Sequence, residues 1–402
     1  NSGEDFAAPV IVRMDSMEIE AHAKAMTRIE ILYMTVVVML RYLLKHSFDG
    51  IIPEELSHYL QEGDHNRVMY YRVSEDKKAG VQDTRVAEAI SEMLLLDEVL
   101  KENLSGQLLA GVAEYQVFQR VLEEQTCLDE GGERIPREKT DIAADSVQNP
   151  FDATVTYRYK RGQHHGHVLN VAEAIDGKGN GVIIHAAIEQ NVASDSHMAE
   201  EYMMSLPDGG PSQTFIADGA YNSDALEEIA AVKNVKVQTT SLTGAAPEDV
   251  VADFVLNEDG TEILSCPGGH APVSCKHNPN NGYITATMPC NCCASCPHRD
   301  ECKAKINNKK DKSTVRVTGK MVKRAKQARS FSTKEGKDNA NRRNGVEGIM
   351  SVMRRKYDID HIPVFGLDRL KNWIWTTLLS YNLVKYQKYQ AILKKQLAAS
   401  VG

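Results

Sequence analysis

The sequence predicts an α/β protein in which a long helical region and a cysteine-rich region interrupt the strands. Three observations carry this prediction. Apolar runs of strand length occur beside two acidic residues, Asp15 and Asp218. A long stretch with helical periodicity follows the first of these runs. Seven of the eight cysteines fall between Cys266 and Cys302.

Composition and charge limit the classes of protein to which the chain can belong. A chain of 402 residues with 42% apolar and 25% charged residues is typical of a soluble globular protein with more than one structural unit. The net charge of −8 argues against nucleic-acid binding by bulk charge but permits a local basic surface. No apolar run approaches the roughly 20 residues of a membrane span. No signal peptide opens the chain, so we expect a cytoplasmic protein.

Residues 1–20 are predicted to supply the first core strand. The apolar run at 9–19 reads as a buried strand, with Asp15 at or just past its end. Asp15 and Ser16 could instead cap a helix, because a helical pattern follows at 21–45.

Residues 21–150 are predicted to form a helical insertion and a linker. The helices at 50–135 are expected to break near Pro53, Gly80 and Gly106, and their acidic end is expected to be solvated surface. The polar, poorly periodic stretch at 138–150 is typical of a linker.

Residues 151–252 are predicted to form the strands of an α/β core. Alternating patterns at 152–190 predict strands joined by a tight hairpin at 177–181. Ser194 or Asp195 is expected to cap a short helix. The next strand, at 214–217, ends in Asp218, and acids at strand ends in α/β sheets are where ligands bind.

Two other acids compete with Asp15 for the first position in a site. Asp176 falls in the hairpin and is expected to be a turn residue. Asp152 precedes its strand, so its carboxylate is expected at the wrong end. We therefore favour Asp15.

A cluster of cations and histidines marks the first turn of this core, at Lys160, Arg161, His164, His165 and His167. Three close histidines could bind a metal. No carboxylate or cysteine flanks them at ligand spacing, so we favour a surface turn or a turn near DNA.

Residues 253–302 are predicted to form a zinc-binding insertion that opens with a hairpin. Cys293-x2-Cys296-x5-Cys302 and the more distant Cys266 give four thiolates at zinc spacing. Clustered cysteines without a secretory signal favour a metal over disulfides. A site closed by four thiolates is structural and not catalytic. The competing ligands are Cys275, Cys290, Cys292, His270, His277 and His298.

Residues 303–402 are predicted to hold a basic segment and the C-terminal helices. Positions 303–330 carry eleven Lys and Arg against one acid, Asp311. The segment is either a solvated loop or a surface that contacts DNA phosphates, and its position before the next helix favours phosphate contact. The candidate contacts are Lys320, Lys323, Arg324, Lys326 and Arg329.

The helix that follows presents one charged face. Arg343, Glu347, Met350 and Arg354 recur at helical spacing. A lone carboxylate between two arginines is usually a weak, solvated ion-pair ladder. Because two acids upstream sit at strand ends, the three acids together favour a metal site.

This helix face resembles the Tyr-x2-Arg-x3-Glu-x6-Lys signature of bacterial insertion-sequence DDE transposases. Arg343 matches the arginine and Glu347 the catalytic glutamate. Ala340 stands where the family has tyrosine, and Arg354 replaces the lysine with its charge kept.

The resemblance extends to earlier segments. Asp15 matches the context of the family's first catalytic aspartate, and Asp218 with Tyr221 matches its Asp-x-x-Tyr motif. The sequences that begin at Cys266 and Cys293 resemble the cysteine pattern of one branch of these transposases.

The resemblance implies a ribonuclease-H-like core with two insertions. It implies that Asp15, Asp218 and Glu347 hold two Mg²⁺ ions about 3.5–4 Å apart. It also implies that Arg343, Arg354 and the other basic candidates, with Tyr221, contact DNA.

The implied reaction is hydrolytic cleavage at transposon ends followed by strand transfer into target DNA. The implied partners are double-stranded DNA and a second copy of the chain on that DNA, in association with the bacterial nucleoid. Two alternatives stay open: a ribonuclease-H-like nuclease without joining activity, and a zinc-bearing DNA-binding protein that has lost catalysis.

Overall fold

The structure is a computed structural model that describes residues 10–61, 63–64, 75–159, 162–176, 180–242, 244–307, 309 and 311–400. It describes the side chains of these residues except 75–82, 396, 397, 399 and 400. Lys160 and Arg161, two of the predicted DNA contacts, lie outside this set, as do residues 177–179 of the predicted hairpin.

The strands, in chain order, are β1 (Val10–Glu20), β2 (Thr126–Leu128), β3 (Arg134–Pro136), β4 (Thr156–Tyr159), β5 (Gln163–Ile175), β6 (Gly181–Gln190), β7 (Gln213–Ala217), β8 (Val235–Thr239), β9 (Val255–Leu256), β10 (Ile263–Ser265), β11 (Ser274–His277), β12 (Tyr283–Pro289), β13 (Lys305–Asn307) and β14 (Lys312–Thr318). The α-helices are α1 (Arg28–Lys45), α2 (Glu75–Asn103), α3 (Gly106–Ala110), α4 (Ala113–Gln125), α5 (Asp195–Ser205), α6 (Asp224–Val232), α7 (Cys290–Ala294), α8 (Arg299–Cys302), α9 (Gly319–Phe331), α10 (Lys334–Tyr357) and α11 (Leu367–Ser400). Short 3-10 turns lie at Asp49–Ile51, Glu54–Leu60, Lys139–Asp141, Gly219–Tyr221 and Asp249–Asp253.

A mixed sheet forms the core, with strand order β4–β5–β1–β7–β8 and with β6 also paired to β5. β1 is antiparallel to β5 and parallel to β7, which is parallel to β8. Arg13 of β1 is in register with Ile216 of β7. Asp15 and Asp218 each follow these paired residues by two positions, so they lie level with each other.

The first strand is longer than expected and the first helix shorter. Asp15 lies inside β1 rather than at its end, because β1 stays paired with β5 as far as Glu20 opposite Gly166. The helix α1 begins only at Arg28, where the hydroxyl of Thr27 caps it. The alternative that Asp15 caps this helix is wrong.

The helical region also differs from the expected pattern in two places. α2 passes through Gly80 without a break, which agrees with the modest cost of about 1 kcal/mol for glycine inside a helix. The acidic end of the region includes a two-stranded hairpin, β2 with β3. α1, α2 and α4 share one apolar core that includes Leu40, Met93 and Phe118.

Helices cover both faces of the mixed sheet, because alternate residues of a strand point to opposite sides. Met17 and Ile19 of β1 pack against α10 and α11. Val12 and Met14 pack on the other side, in a core that includes residues of α5 and α6.

The cysteine-rich region contains an antiparallel sheet of order β11–β12–β14–β13. One face of this sheet is buried, with Ile284, Ala286, Val315 and Val317 in a core that also holds residues of α9. The predicted boundary at residue 302 does not divide the fold, because β14 pairs along the whole of β12. Within the described residues, every helix is too short or too polar to cross a membrane.

Candidate active site

Arg343 joins the three acids that the sequence selects. Its Nη2 lies 3.2 Å from Asp15 Oδ2 and 3.9 Å from Asp218 Oδ2. Its Nη1 lies 3.0 Å from Glu347 Oε1, one helical turn further along α10. The fold thus brings together carboxylates from a strand, a strand end and a helix that are far apart in the chain.

The loop after β8 fixes the position of Asp218. Its Oδ1 accepts hydrogen bonds from the backbone N–H of Gly219, at 2.5 Å, and from the hydroxyl of Ser241. A Cβ at position 219 would lie 2.5 Å from the Ser241 carbonyl oxygen, so only glycine permits this approach. The carboxylate keeps a second oxygen toward Arg343.

Asp15 is the most enclosed of the three acids, with a side chain 17% exposed against 44% for Asp218 and 59% for Glu347. Burial raises its pKa above the usual value near 3.8. Arg343 and the Ser16 N–H act in the opposite direction, while the charge of Glu347 adds to the rise. The cluster is therefore crowded with negative charge, which Arg343 offsets in part.

A fourth acid stands beside this cluster. Asp195, the first residue of α5, accepts a 2.7 Å hydrogen bond from the hydroxyl of Ser16. Its charge raises the pKa of Asp15 further. Sequence reasoning treated Asp195 only as a possible helix cap, a role that Ser194 fills. An acid in the first turn of a helix is too common to mark a site.

Residues 265–387 match the family model described as "Transposase DDE domain". This segment, less than a third of the chain, is similar to a transposase DDE domain. The matched segment includes Arg343 and Glu347, whereas Asp15 and Asp218 lie before it. Proteins with this domain act on DNA and generally use Mg²⁺. No curated protein and no solved structure matches the chain.

Tyr221 is not available for a contact with DNA. The side chain is 1% exposed, and its hydroxyl accepts a 2.9 Å hydrogen bond from Asn170 Nδ2. The turn at Gly219–Tyr221 directs the ring into the core beneath the sheet. Tyr221 is therefore a packing residue, and the expectation of a DNA contact there is wrong.

The arginine that replaces the signature lysine lies apart from the acids. Arg354 is exposed, and its Nε lies 3.2 Å from Asp360 Oδ1. It makes no ion pair with Asp15, Asp218 or Glu347 among the described residues. The phosphate contact expected of Arg354 stays a prediction.

Two predicted DNA contacts on α9 are engaged within the protein. Lys323 forms an ion pair with Glu227. Arg329 is held by the carboxylates of Asp249, at 3.0 Å, and Asp253, at 2.5 Å, which raise its pKa. These two side chains are therefore paired with acids within the protein, and their contact with DNA stays a prediction.

The remaining candidates on α9 differ in their surroundings. Arg324 donates a 3.0 Å hydrogen bond to the Ala245 carbonyl. Lys320 and Lys326 are exposed on the helix surface. Lys323 is exposed as well, so its ion pair with Glu227 lies at the protein surface.

The four cysteines selected as zinc ligands line one cavity of about 20 Å³, which is about the size of one water molecule. Cys292, His270 and His298 line it too, and no disulfide joins any of the eight cysteines. A Cβ at Gly268 would lie 3.3 Å from Cys296 Sγ. Burial, with neighbouring thiols, raises the pKa of Cys293 and Cys302.

Neither the acids nor the thiols are arranged as a ready-made metal site. Across the part of the chain that the structure describes, no three His, Cys, Asp or Glu side chains are grouped closely enough to hold a metal ion as they stand. The acids surround a guanidinium instead, and the thiols surround a cavity.

The histidine cluster has carboxylate partners that sequence spacing did not reveal. His164 Nδ1 lies 2.9 Å from Glu20 Oε1, and its Nε2 lies 3.9 Å from Glu18 Oε2, both on β1. His167 turns inward, is 2% exposed, and lies 3.1 Å from Thr154 Oγ1 through Nε2. Burial lowers its pKa. All three histidines lie within β5, so they do not form a surface turn.

Proposed function

We propose that this transposase cleaves DNA at the ends of a mobile element and joins those ends to target DNA, with Asp15, Asp218 and Glu347 as its catalytic acids. One observation carries the proposal. The guanidinium of Arg343 contacts all three carboxylates, which come from separate elements of the fold.

The fold we propose for the catalytic part is a ribonuclease-H-like core, with residues 21–150 and the cysteine-rich region as insertions. The parallel pairing of β1 with β7 supports it, because this pairing sets Asp15 level with Asp218. The packing of α10 on β1 supports it too, since α10 brings Glu347 to the same edge of the sheet.

The donor set fits magnesium, which prefers carboxylate oxygens and substrate phosphates. Asp15, Asp218 and Glu347 would hold the ions. When bound, Mg²⁺ activates a water or a DNA 3′-hydroxyl and stabilises the leaving oxygen. Arg343 is the counter-charge to these carboxylates in the structure, which supports the proposal that they bind a cation.

The chain's own residues position these acids. Ser241 and Gly219 hold Asp218, while Ser16 holds Asp195 near Asp15. We propose that Arg343 also binds DNA phosphate, since a guanidinium suits phosphate oxygens. Arg354 is proposed for the same role from the family signature alone.

A structural zinc ion is our proposal for the cysteine-rich region. The support is that Cys266, Cys293, Cys296 and Cys302 face one small cavity although they span 37 residues of sequence, from 266 to 302. Zinc held by four thiolates needs no open coordination position. We further propose, on the resemblance alone, that the protein acts as a homodimer on double-stranded DNA.

The test is a cleavage and strand-transfer assay on DNA carrying the element's ends. Asp15→Asn, Asp218→Asn and Glu347→Gln should each abolish both reactions while leaving DNA binding nearly intact, because each keeps the shape of the side chain and removes its charge. Asp338→Asn removes an exposed acid from the same helix, α10, and should keep activity.

Two results would contradict the proposal. If Asp15→Asn kept cleavage and Asp152→Asn lost it, the assignment of Asp15 as the first catalytic acid would be wrong. Cleavage of both strands without any joined product would identify a nuclease instead of a transposase.

A further inference from the structure

The cysteine-rich sheet has one buried face and one exposed face. We propose that the exposed face binds the phosphate backbone of duplex DNA. We call it the basic sheet face and define it by Lys276, Lys305, Lys312 and Arg316, with the polar side chains between them. The inference rests on the proposed function, because it places the DNA of that reaction on a surface outside the acid cluster.

Strand register places the four cations on one side of the sheet. Thr285 of β12 lies between Lys276 of β11 and Arg316 of β14. Lys305 of β13 is opposite Thr314 of β14. Residues two apart on a strand share a face, so Lys312, Thr314 and Arg316 line up along β14.

The opposite face explains why these side chains point outward. The residues that alternate with the outward-facing ones on β12 and β14 are buried. They are Ile284, Ala286, Val315 and Val317, each 2% exposed or less. A sheet with one apolar face can only turn its other face to water. All four cations of the basic sheet face are exposed.

The basic sheet face carries positive charge without acids. The remaining positions on these strands that share its side are Ser274, Tyr283, Thr285, Thr287, Pro289, Asn307, Thr314 and Thr318. No ion pair joins any of the four cations to a carboxylate among the described residues. By contrast, Lys323 and Arg329 on the neighbouring helix α9 are both neutralised by acids.

An aromatic contact steadies one of the cations. The guanidinium carbon of Arg316 lies 4.7 Å from the ring centroid of Tyr283. Such cation–π contacts contribute about 0.5–1 kcal/mol at exposed sites. Arg316 is thus held against the sheet while its N–H groups stay open to a phosphate.

The layout fits an extended polyanion better than a single small anion. Neighbouring strands lie about 4.8 Å apart, which places Lys276 and Arg316 about 10 Å from each other across β12. Lys312 and Arg316 are four residues apart on one strand, or about 13 Å. Cations at this separation contact different phosphates of a backbone, and threonine hydroxyls between them can donate to phosphate oxygens.

The basic sheet face is also continuous with the catalytic part of the chain. β14 ends at Thr318, whose hydroxyl caps α9, and α9 leads directly to α10 with Arg343 and Glu347. DNA held on the sheet is therefore held by the segment that carries one of the proposed catalytic acids.

The test measures binding of a random-sequence duplex of about 30 base pairs at several salt concentrations. The variant replaces Lys276, Lys305, Lys312 and Arg316 with Gln. Each lost phosphate contact should reduce the slope of log K against log salt by about 0.9, so the slope should become shallower by about 3 to 4. Affinity should fall for all sequences alike, because backbone contacts carry no sequence information.

A charge-matched control replaces Arg41, Lys45, Lys394 and Lys395 with Gln, all exposed and outside the sheet. It should keep the wild-type slope. Two half-variants, Lys276 with Arg316 and Lys305 with Lys312, should each lose about half of the effect. They keep the test valid if the fourfold variant folds poorly.

The outcomes separate this inference from the proposed function. If the wild type binds and cleaves DNA while the half-variants keep its salt slope, the basic sheet face is not a DNA surface and the transposase assignment stands. If the wild type binds no DNA, both fail. A slope reduced in the sheet variants but not in the control supports the inference.

Discussion

At the scale of single residues, the site depends on how one cation balances several carboxylates. Arg343 contacts Asp15, Asp218 and Glu347, and its side chain is only 16% exposed. Its neighbour Arg342 is exposed, and among the described residues its side chain donates only to Asn339. The two adjacent arginines therefore make a matched pair for measurement.

Arg343→Gln should destabilise the protein in the absence of metal. The variant leaves three carboxylates without their shared partner, and losing hydrogen bonds to charged groups costs about 1.5–3 kcal/mol. Urea unfolding at pH 7 with EDTA measures this loss. Arg342→Gln should change the free energy of unfolding by less than about 0.5 kcal/mol. Equal effects of the two substitutions would contradict the role given to Arg343.

Asp15→Asn should have a pH-dependent effect on stability. Burial raises the folded-state pKa of Asp15 above 3.8. A carboxyl group with a raised pKa contributes stability at low pH that is lost as pH rises through its folded pKa. Asparagine does not ionise, so the variant does not lose stability in this way. Its free energy of unfolding should therefore rise relative to that of the wild type between pH 4 and pH 7.

Chemical unfolding across that pH range, with EDTA present, tests the Asp15 prediction. Asp338→Asn serves as the control, because Asp338 is exposed on α10. A difference between Asp15→Asn and wild type that stays constant with pH would show that the carboxyl group is not perturbed by burial.

At the scale of elements, a buried ion network fixes α10 against β1. Arg13 donates to Glu173 Oε2 at 2.7 Å through Nε, and also to the carbonyl of Arg342 on α10. Lys385 of α11 reaches the other oxygen of Glu173 at 2.6 Å. Glu173 is fully buried, and the network ties β1, β5, α10 and α11 together next to the acid cluster.

Gly345→Ala should destabilise the protein although alanine favours helices. A Cβ at Gly345 would collide with the guanidinium of Arg13. Gly348→Ala, on the same helix with open space around its Cβ, should instead stabilise by up to about 1 kcal/mol. Thermal unfolding of the two variants measures the contrast, and a gain in both would show that α10 does not press on Arg13.

At the scale of the whole molecule, the cysteine-rich sheet is a separate core from that of the helices α1, α2 and α4. If zinc holds this sheet together, its binding energy is folding energy for that region. The rest of the chain can keep its own core when the metal is removed.

Cys293→Ser and Cys296→Ser should each abolish the bound zinc and unfold the cysteine-rich region. Metal analysis of the purified protein should find one zinc per chain in the wild type and in Cys127→Ser, whose thiol lies far from the cavity in sequence, on β2. Helical circular dichroism should be largely retained in all three variants. Wild-type protein free of zinc would refute the proposal.

Local pattern was enough to predict several elements near their observed bounds. The predicted strand at 214–217 lies within β7, and the predicted helix capped by Ser194 is α5. The start of α1 was misplaced because a helical pattern cannot show that β5 keeps β1 extended to Glu20. The same limit hid Glu18 and Glu20 as partners of His164, since they lie on another strand.

The sequence by itself determined the chemical inventory of this protein: three acids in family motifs, four cysteines at zinc spacing and a basic segment. Only the tertiary structure decided which charges are free. It pairs Lys323 and Arg329 with acids and leaves Lys276 and Arg316 exposed on one face. The reason is physical, because a charge is neutralised by groups near it in space, and those groups come from strands and helices far away in the chain.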